Sequence, residues 1–159
     1  MTKALVVYDS VYGNTEKIAR TIAEAIGREA KVLRVNEVNL AELDAIELLI
    51  VGSPTHGGGP TPATKDFLNK LTGPVIKDTK IAAFDTRLSW LWVKIFGFAA
   101  EKISNILKAK GGIIIASPQG FLVTGKESSI KEGELERAAE WARAIARKHL
   151  LDASEKEQK

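Results

Sequence analysis

Runs of consecutive apolar residues alternate along this chain with segments that carry an apolar residue every three or four positions. Five runs have the length and continuity of buried strands: Lys3–Asp9, Lys31–Val35, Leu48–Gly52, Lys80–Asp85 and Gly112–Ser117. Helix-like segments lie at Asn14–Arg28, Thr64–Leu71 and Ala99–Lys110, and a closing helix is marked by Leu135, Ala138, Ala142, Ile145 and Ala146. Strands that alternate with helices predict an α/β fold with a doubly wound, five-stranded parallel sheet.

Length and composition limit the class of protein. With 159 residues, 45% of them hydrophobic, the chain is expected to form one domain over residues 1–151, followed by a frayed tail at 152–159. It has no cysteine, which excludes disulfides, thiolate catalysis, iron–sulfur clusters and cysteine zinc sites. The two histidines, His56 and His149, are too few for a histidine-rich metal site. The first apolar run lacks the cleavage site of a signal peptide, so we expect a cytoplasmic protein.

The segment Ser10–Thr15 joins the first strand to the first helix, where an α/β protein can bind an anion. A helix start leaves backbone N–H groups unpaired and carries partial positive charge, and the hydroxyls of Ser10 and Thr15 add donors. Gly13 lets the backbone approach a ligand without a Cβ in the way. Because the segment has no lysine, it favours a single phosphate monoester over a triphosphate. The alternative is a plain helix start with Asn14 or Thr15 as its N-cap.

Two further loops follow strands three and four and are expected to reach the same edge of the sheet, where such folds bind ligands. Ser53–Pro60 contains three consecutive glycines, which permit positive φ and close approach to a flat ligand. A plain surface turn is the alternative for this loop. The loop Asp85–Trp92 introduces Trp90 and Trp92, which would stack on an aromatic ligand or, alternatively, fill the core. Three unusual loops at one edge predict a binding crevice.

These motifs resemble those of the flavodoxin family, and the resemblance covers nearly the whole chain. Ser10–Thr15 is similar to the family's FMN phosphate loop, with Tyr12 in place of a small hydroxyl residue. Gly52–Gly59 is similar to its first isoalloxazine loop, and the segment from Asp85 onward takes the place of the second. The resemblance implies a flavodoxin-like sheet with strand order 2-1-3-4-5 and FMN as the cofactor.

The resemblance also implies a set of cofactor-binding residues from the three loops. The phosphate loop would contribute Ser10, Val11, Tyr12, Gly13, Asn14 and Thr15. The reactive edge of the flavin would be bordered by Pro54, Thr55, His56, Gly57 and Gly58, and its other side by Asp85, Thr86, Arg87 and Trp90. His56 stands near the place where many members of the family carry an aromatic residue.

The function implied by the resemblance is electron transfer. An FMN-binding carrier shuttles single electrons between redox partners, and the protein acts through binding and electrostatics. We therefore expect no catalytic side chain and no metal ligand. The alternative is a flavodoxin-like NAD(P)H:quinone or other FMN-dependent oxidoreductase, a class that commonly carries added segments for which this chain has little room.

The charge of the chain indicates the kind of partner. The net charge is +3 and the isoelectric point is about 9.1, whereas many flavodoxins are strongly acidic. Within residues 80–110 the acidic residues are Asp85 and Glu101, and they are outnumbered by Lys80, Arg87, Lys94, Lys102, Lys108 and Lys110. A basic rim near the flavin would favour acidic protein partners, such as a reductase or a ferredoxin-type donor, or anionic substrates. A solvated helix face is the alternative for Lys102, Lys108 and Lys110. We expect no nucleic-acid partner and no membrane span.

Overall fold

The computed structural model describes residues 3–88, 98–124 and 129–158, in which a sheet carries helices on both faces. The strands in these ranges are β1 (Ala4–Tyr8), β2 (Ala30–Arg34), β3 (Leu48–Pro54), β4 (Lys80–Leu88), β5 (Ile113–Ile114), β6 (Gln119–Thr124) and β7 (Ser129–Ile130). The helices are α1 (Asn14–Ile26), α2 (Pro62–Lys70), α3 (Gly73–Ile76), α4 (Ala99–Ala109) and α5 (Glu134–Glu157). Short 3₁₀ helices at Val35–Glu37 and Leu40–Ala45 connect β2 to β3.

The strand order is β2-β1-β3-β4-β6-β7, and β5 pairs with the first residues of β4. All these pairs are parallel except β6 with β7. The predicted doubly wound sheet and the order 2-1-3-4 are confirmed. At the fifth position two strands pair with β4: the two-residue β5, which lies within the predicted run Gly112–Ser117, and β6, which lies beyond that run. Pro118 separates them, since a proline has no N–H to donate to a neighbouring strand.

Alternate residues of β1 face opposite helical layers, and this explains why the strand is apolar throughout. Ala4, Val6 and Tyr8 pack in the layer that contains α1 and α5. Leu5 and Val7 pack in the layer that contains α2 and α4. Burial of both faces fixes the register in which β1 pairs with β2 and β3. Because β1 and β3 are parallel, the loops that follow them leave from the same edge of the sheet.

The closing helix α5 runs to Glu157, so residues 152–157 are helical in place of the expected frayed tail. This segment contains no glycine or proline that would end a helix. Asp152 also pairs with Lys80 at 3.4 Å, which ties the extended end of α5 to the start of β4.

Candidate functional site

A cleft opens at the edge of the sheet where β1, β3, β4 and β6 have their carboxyl ends. It measures about 580 Å³, including the space open to solvent. Its lining comes from the three loops identified in the sequence and from the ends of β4 and β6: Val11, Tyr12, Asn14, Thr15, Pro54, Thr55, His56, Thr86, Arg87, Leu88 and Val123. Tyr12 is 73% exposed, so its ring stands at the surface beside the cleft.

The loop after β1 brings the start of α1 to the cleft. Gly13 is the N-cap with a φ of 92°, in the left-handed region that glycine adopts without steric cost. The Ser10 hydroxyl accepts a hydrogen bond from the Gly13 N–H at 3.0 Å, which leaves the hydroxyl's own proton available to a ligand. Asn14 and Thr15 both lie inside α1, so the alternative in which one of them is the N-cap is wrong.

No side chain in the described ranges caps the start of α1, in contrast to α2 and α4. The Thr61 hydroxyl accepts the Thr64 N–H at the start of α2. The first two N–H groups of α4 donate to Thr55 Oγ1 at 3.1 Å and to Asp85 Oδ2 at 2.9 Å. In the first turn of α1, the N–H groups of Thr15 and Glu16 can therefore donate hydrogen bonds to an anion in the cleft.

Two buried threonines connect the loops that line the cleft. Thr15 is 1% exposed and Thr86 is 5% exposed, and their Oγ1 atoms lie 2.8 Å apart. The Thr86 carbonyl accepts the Thr55 N–H at 3.0 Å. Thr86 thus bonds through its side chain to the first loop and through its backbone to the second.

The second loop makes a tight turn at His56–Gly59. The His56 N–H donates to the Gly59 carbonyl at 2.7 Å, and the Gly59 N–H donates to the His56 carbonyl at 3.0 Å. Gly57 and Gly58 have φ values of 56° and 81°. Positive φ at both central residues is the pattern of a type I′ turn, which explains why glycine occupies both positions.

Asp85 and Arg87 form an ion pair behind the wall of the cleft. Arg87 Nε and Nη2 donate to the two carboxylate oxygens at 2.7 Å each, and the guanidinium carbon lies 3.4 Å from the Phe98 ring centroid. A Cβ at Gly120 would lie 2.1 Å from Arg87 Nε, so the glycine leaves room for the guanidinium. Burial raises the pKa of the Asp85 carboxyl, while the hydrogen bonds from Arg87 and the Ala100 N–H oppose that rise.

An arginine from the neighbouring strand supports the first loop. Arg34 Nη1 donates to the Ser10 carbonyl at 3.0 Å and lies 3.4 Å from Asp9 Oδ1. The other Asp9 oxygen accepts a hydrogen bond from the Thr61 hydroxyl. These residues were not predicted as part of the site, because nothing in the spacing of the sequence connects the end of an edge strand with this loop.

The structure brings most of the predicted cofactor-binding residues to one place. Those that line the cleft are Val11, Tyr12, Asn14, Thr15, Pro54, Thr55, His56, Thr86 and Arg87. Ser10, Gly13, Gly57 and Gly58 lie in the same loops without lining it, and Asp85 is fully buried behind it. Trp90 lies outside the described residues, as does Trp92. The binding roles of all these residues stay predictions.

Two residues that line the cleft were not predicted from the sequence. Leu88 lies three positions beyond Asp85, where the fourth strand was expected to end, and Val123 is its partner in β6. The run Phe121–Val123 after Pro118 is the sequence signal for this strand, but it reads equally well as a loop.

The predicted basic rim is smaller than expected. Lys80 is the first residue of β4, at the opposite edge of the sheet, and pairs with the end of α5. Lys110 donates to two backbone carbonyls at the end of α2, at 2.6 Å each. Near the cleft the described cations include Arg87, which lines it, and Lys102. Lys102 lies beside the turn His56–Gly59, because its Cδ is 3.6 Å from the position that a Cβ on Gly59 would take. Lys94 lies outside the described residues.

Two other features are absent from residues 3–88, 98–124 and 129–158: a cluster of metal ligands and a helix that could cross a membrane. Within these ranges, no three histidine, aspartate or glutamate side chains are grouped as metal ligands would be. Nor does any helix there combine the length and apolar character that crossing a membrane requires.

Comparisons with known proteins agree with the fold. A family model described as Flavodoxin matches residues 6–141. A flavodoxin of Aquifex aeolicus is 29% identical, and the alignment covers 99% of this chain and 97% of that protein. An uncharacterized protein of Methanocaldococcus jannaschii is 36% identical over 71% of this chain, but the chain spans only 29% of that protein's length.

The fold itself is shared with solved structures. A flavodoxin from the domain Archaea matches with a TM-score of 0.76 and 23% identity, over 93% of this chain and 99% of that one. At this level of identity the likeness concerns the fold. Since the Flavodoxin model itself matches most of the sequence, the chain belongs to the flavodoxin family, whose members bind FMN and transfer electrons between redox partners.

Proposed function

We propose that this chain binds one FMN in the cleft and carries single electrons between redox partners. The observation that supports this most directly is the start of α1, which lies at the cleft with its N-cap glycine in the left-handed region and no side-chain cap in the described ranges. A phosphate group is the ligand chemistry that such a helix start prefers.

The donor set fits one phosphate. The Ser10 hydroxyl keeps its proton for a ligand, and the first turn of α1 supplies backbone N–H groups. Arg34 is already bonded to Ser10 and Asp9 beneath the loop, and the loop itself has no lysine. With no cationic side chain in the loop for a second phosphate, FMN should bind more tightly than FAD, and riboflavin should lose the charge-assisted bonds altogether.

The rest of the cleft suits a flat aromatic ring. The turn His56–Gly59 would border one edge of the ring, Arg87 would border the other, and Leu88 and Val123 would exclude water from the wall. Bound FMN would supply the redox chemistry, because flavins accept and release electrons one at a time. The side chains described here bind and orient, and none of them needs to transfer a proton.

We infer an acidic redox partner, such as a reductase or a ferredoxin-type donor. The chain carries a net charge of +3, and Lys102 lies beside the turn that borders the cleft. Complementary charge increases the rate at which two proteins meet. A cytoplasmic location stays a prediction.

The visible spectrum of the purified protein tests the binding proposal, followed by titration of the apoprotein with FMN, FAD and riboflavin. We expect a yellow protein with one FMN per chain and an order of affinity in which FMN exceeds both other flavins. Equal affinity for FMN and riboflavin would contradict the phosphate assignment.

Anaerobic addition of NADH or NADPH separates a carrier from an enzyme. We expect no rapid bleaching of the flavin by either nucleotide alone, and reduction once a reductase or ferredoxin-type donor is added. Rapid bleaching by NADPH with quinone-dependent turnover would instead support an oxidoreductase.

A further inference from the structure

We propose that Thr86 is a positioning residue for the phosphate of FMN and acts through Thr15. The Thr86 hydroxyl donates a hydrogen bond to Thr15 Oγ1, so that the Thr15 hydroxyl points its own proton at the phosphate. This inference rests on the proposed function and assigns a role within it to a residue of the third loop.

Thr15 and Thr86 are placed for a direct hydrogen bond between their hydroxyls. The two Oγ1 atoms lie 2.8 Å apart, which is a normal hydrogen-bond distance between hydroxyls. Both residues line the cleft, yet both are almost fully shielded from solvent, at 1% and 5% exposure. Water therefore cannot readily replace either partner.

Which of the two hydroxyls donates decides where the proton of Thr15 points. Each hydroxyl has one proton to donate and two lone pairs that accept. If Thr15 donates to Thr86, its proton is used within the pair. If Thr86 donates instead, the Thr15 proton is free to bond an acceptor in the cleft. An anion beside Thr15 selects the second arrangement, because it accepts hydrogen bonds and offers none.

The backbone of Thr86 holds the donor in place. Its carbonyl accepts the Thr55 N–H at 3.0 Å, and its strand neighbours Asp85 and Arg87 are fixed by their own ion pair. A hydroxyl that both accepts from Thr86 and donates to an anion belongs to a chain of hydrogen bonds that polarise one another. The Thr86 bond should thus strengthen the contact between Thr15 and phosphate.

Four single variants and one double variant test this. Thr86→Val removes the hydroxyl at constant shape, and Thr86→Ser restores it. Thr64→Val is the matched control, because Thr64 forms a buried hydroxyl pair with Thr61 at the same 2.8 Å without lining the cleft. Thr15→Val and the double variant with Thr86→Val complete the cycle. Thermal unfolding of each apoprotein checks that it folds.

The readout is the Kd of each apoprotein for FMN and for riboflavin, measured by quenching of flavin fluorescence. We expect Thr86→Val to raise the Kd for FMN about tenfold, the scale of a weakened hydrogen bond to a charged group, and to leave the Kd for riboflavin unchanged. Thr86→Ser should recover FMN binding, and Thr64→Val should not change the ratio of the two constants. In the Thr15→Val background, Thr86→Val should have no further effect on FMN binding.

The inference is overturned if Thr86→Val weakens both flavins alike, if the serine variant binds FMN as weakly as the valine variant, or if the effects of Thr15→Val and Thr86→Val add. Failure of the proposed function gives a different result, because the wild-type apoprotein would then bind FMN no better than riboflavin.

Discussion

Thr15 is the side chain whose removal most directly tests the proposed phosphate loop, Ser10–Thr15. We expect Thr15→Val to raise the Kd for FMN by about tenfold or more, since a hydrogen bond to a charged group contributes about 1.5–3 kcal/mol. The affinity for riboflavin should stay the same, because riboflavin has no phosphate. Titration of the apoprotein with both flavins measures the two constants. An equal loss of affinity for both flavins would mean that Thr15 maintains the shape of the cleft and does not bind the phosphate.

Gly57 allows a test of the turn that borders the cleft. Its φ is 56°, and a Cβ built on it would have no neighbour within 4 Å. A substitution at this position therefore strains the backbone but causes no steric clash. We expect Gly57→Ala to lower the free energy of unfolding by about 1 kcal/mol, and Gly57→Asn to cost less, because asparagine tolerates the left-handed region. Urea unfolding of the apoprotein measures both.

Gly59 is the matched control for this turn. It lies outside the positive-φ region, and its nearest neighbour to an added Cβ is Lys102 at an ordinary 3.6 Å. Gly59→Ala should therefore leave stability nearly unchanged or raise it slightly. Equal losses at Gly57 and Gly59 would show that strain is not the cause.

The residue contacts of the site differ in how far the sequence predicts them. The need for glycine at positions 57 and 58 follows from local turn chemistry, so the motif indicates it. The hydrogen bond between Thr15 and Thr86 joins residues 71 positions apart, and it depends on how β1 and β4 are placed by β3 between them. No local pattern contains that information. The same holds for Arg34 under the first loop.

At the scale of elements, the strands at the centre of the sheet are the easiest to predict and those near β7 the hardest. β1 and the first four residues of β3 are apolar because both faces of these strands are buried. β4 extends through Thr86 and Arg87 because it pairs with β6, and its polar end does not look like a strand in isolation. β5 pairs with the start of β4 and β6 pairs with its end. Composition alone does not show how the two strands share β4 as a partner.

The junction of β6 with α5 gives a prediction about pH. The Glu134 carboxylate accepts hydrogen bonds from Arg137 and from the Leu122 N–H, and the bond from Arg137 is the main cause that holds the pKa of Glu134 below its ordinary value of 4.5. The unfolded chain therefore binds this proton more readily than the folded chain. The carboxylate stabilises the fold above pH 4.5, and this contribution is lost as the pH falls through the lowered pKa.

We expect Glu134→Gln to be less stable than the wild type near pH 7 and to lose less stability below pH 4.5. Glu136 is exposed in the same first turn of α5 and serves as the control, so Glu136→Gln should keep the acid sensitivity of the wild type. Thermal unfolding at a series of pH values measures this. Parallel curves for the wild type and Glu134→Gln would rule out the junction as a source of acid sensitivity.

At the scale of the whole molecule, the net charge of +3 should affect the encounter with a redox partner. We expect the rate of reduction by an acidic donor to fall as salt increases, because ions screen the attraction between the two proteins. Lys102→Gln should reduce this salt dependence, since Lys102 lies beside the turn at the cleft. Stopped-flow reduction at several ionic strengths gives the slope.

Lys108 is the control for that experiment. It is exposed near the far end of α4, away from the cleft, and its removal changes the net charge by the same amount. Lys108→Gln should therefore keep most of the wild-type slope. Equal slopes for the two variants would mean that overall charge, not the face around the cleft, steers the donor.

The position of β1 between β2 and β3 also affects which parts of the fold unfold locally and exchange their amide protons with solvent. Its backbone is hydrogen-bonded on both sides, and all five of its residues are buried. We therefore expect its amide protons to exchange with deuterium only when the sheet comes apart, and those of the short strands β5 and β7 to exchange through local opening. The loop Ser10–Thr15, the proposed phosphate loop, is attached to a strand at the centre of the described sheet. We therefore expect the proposed cofactor site to be among the last of the described parts to open.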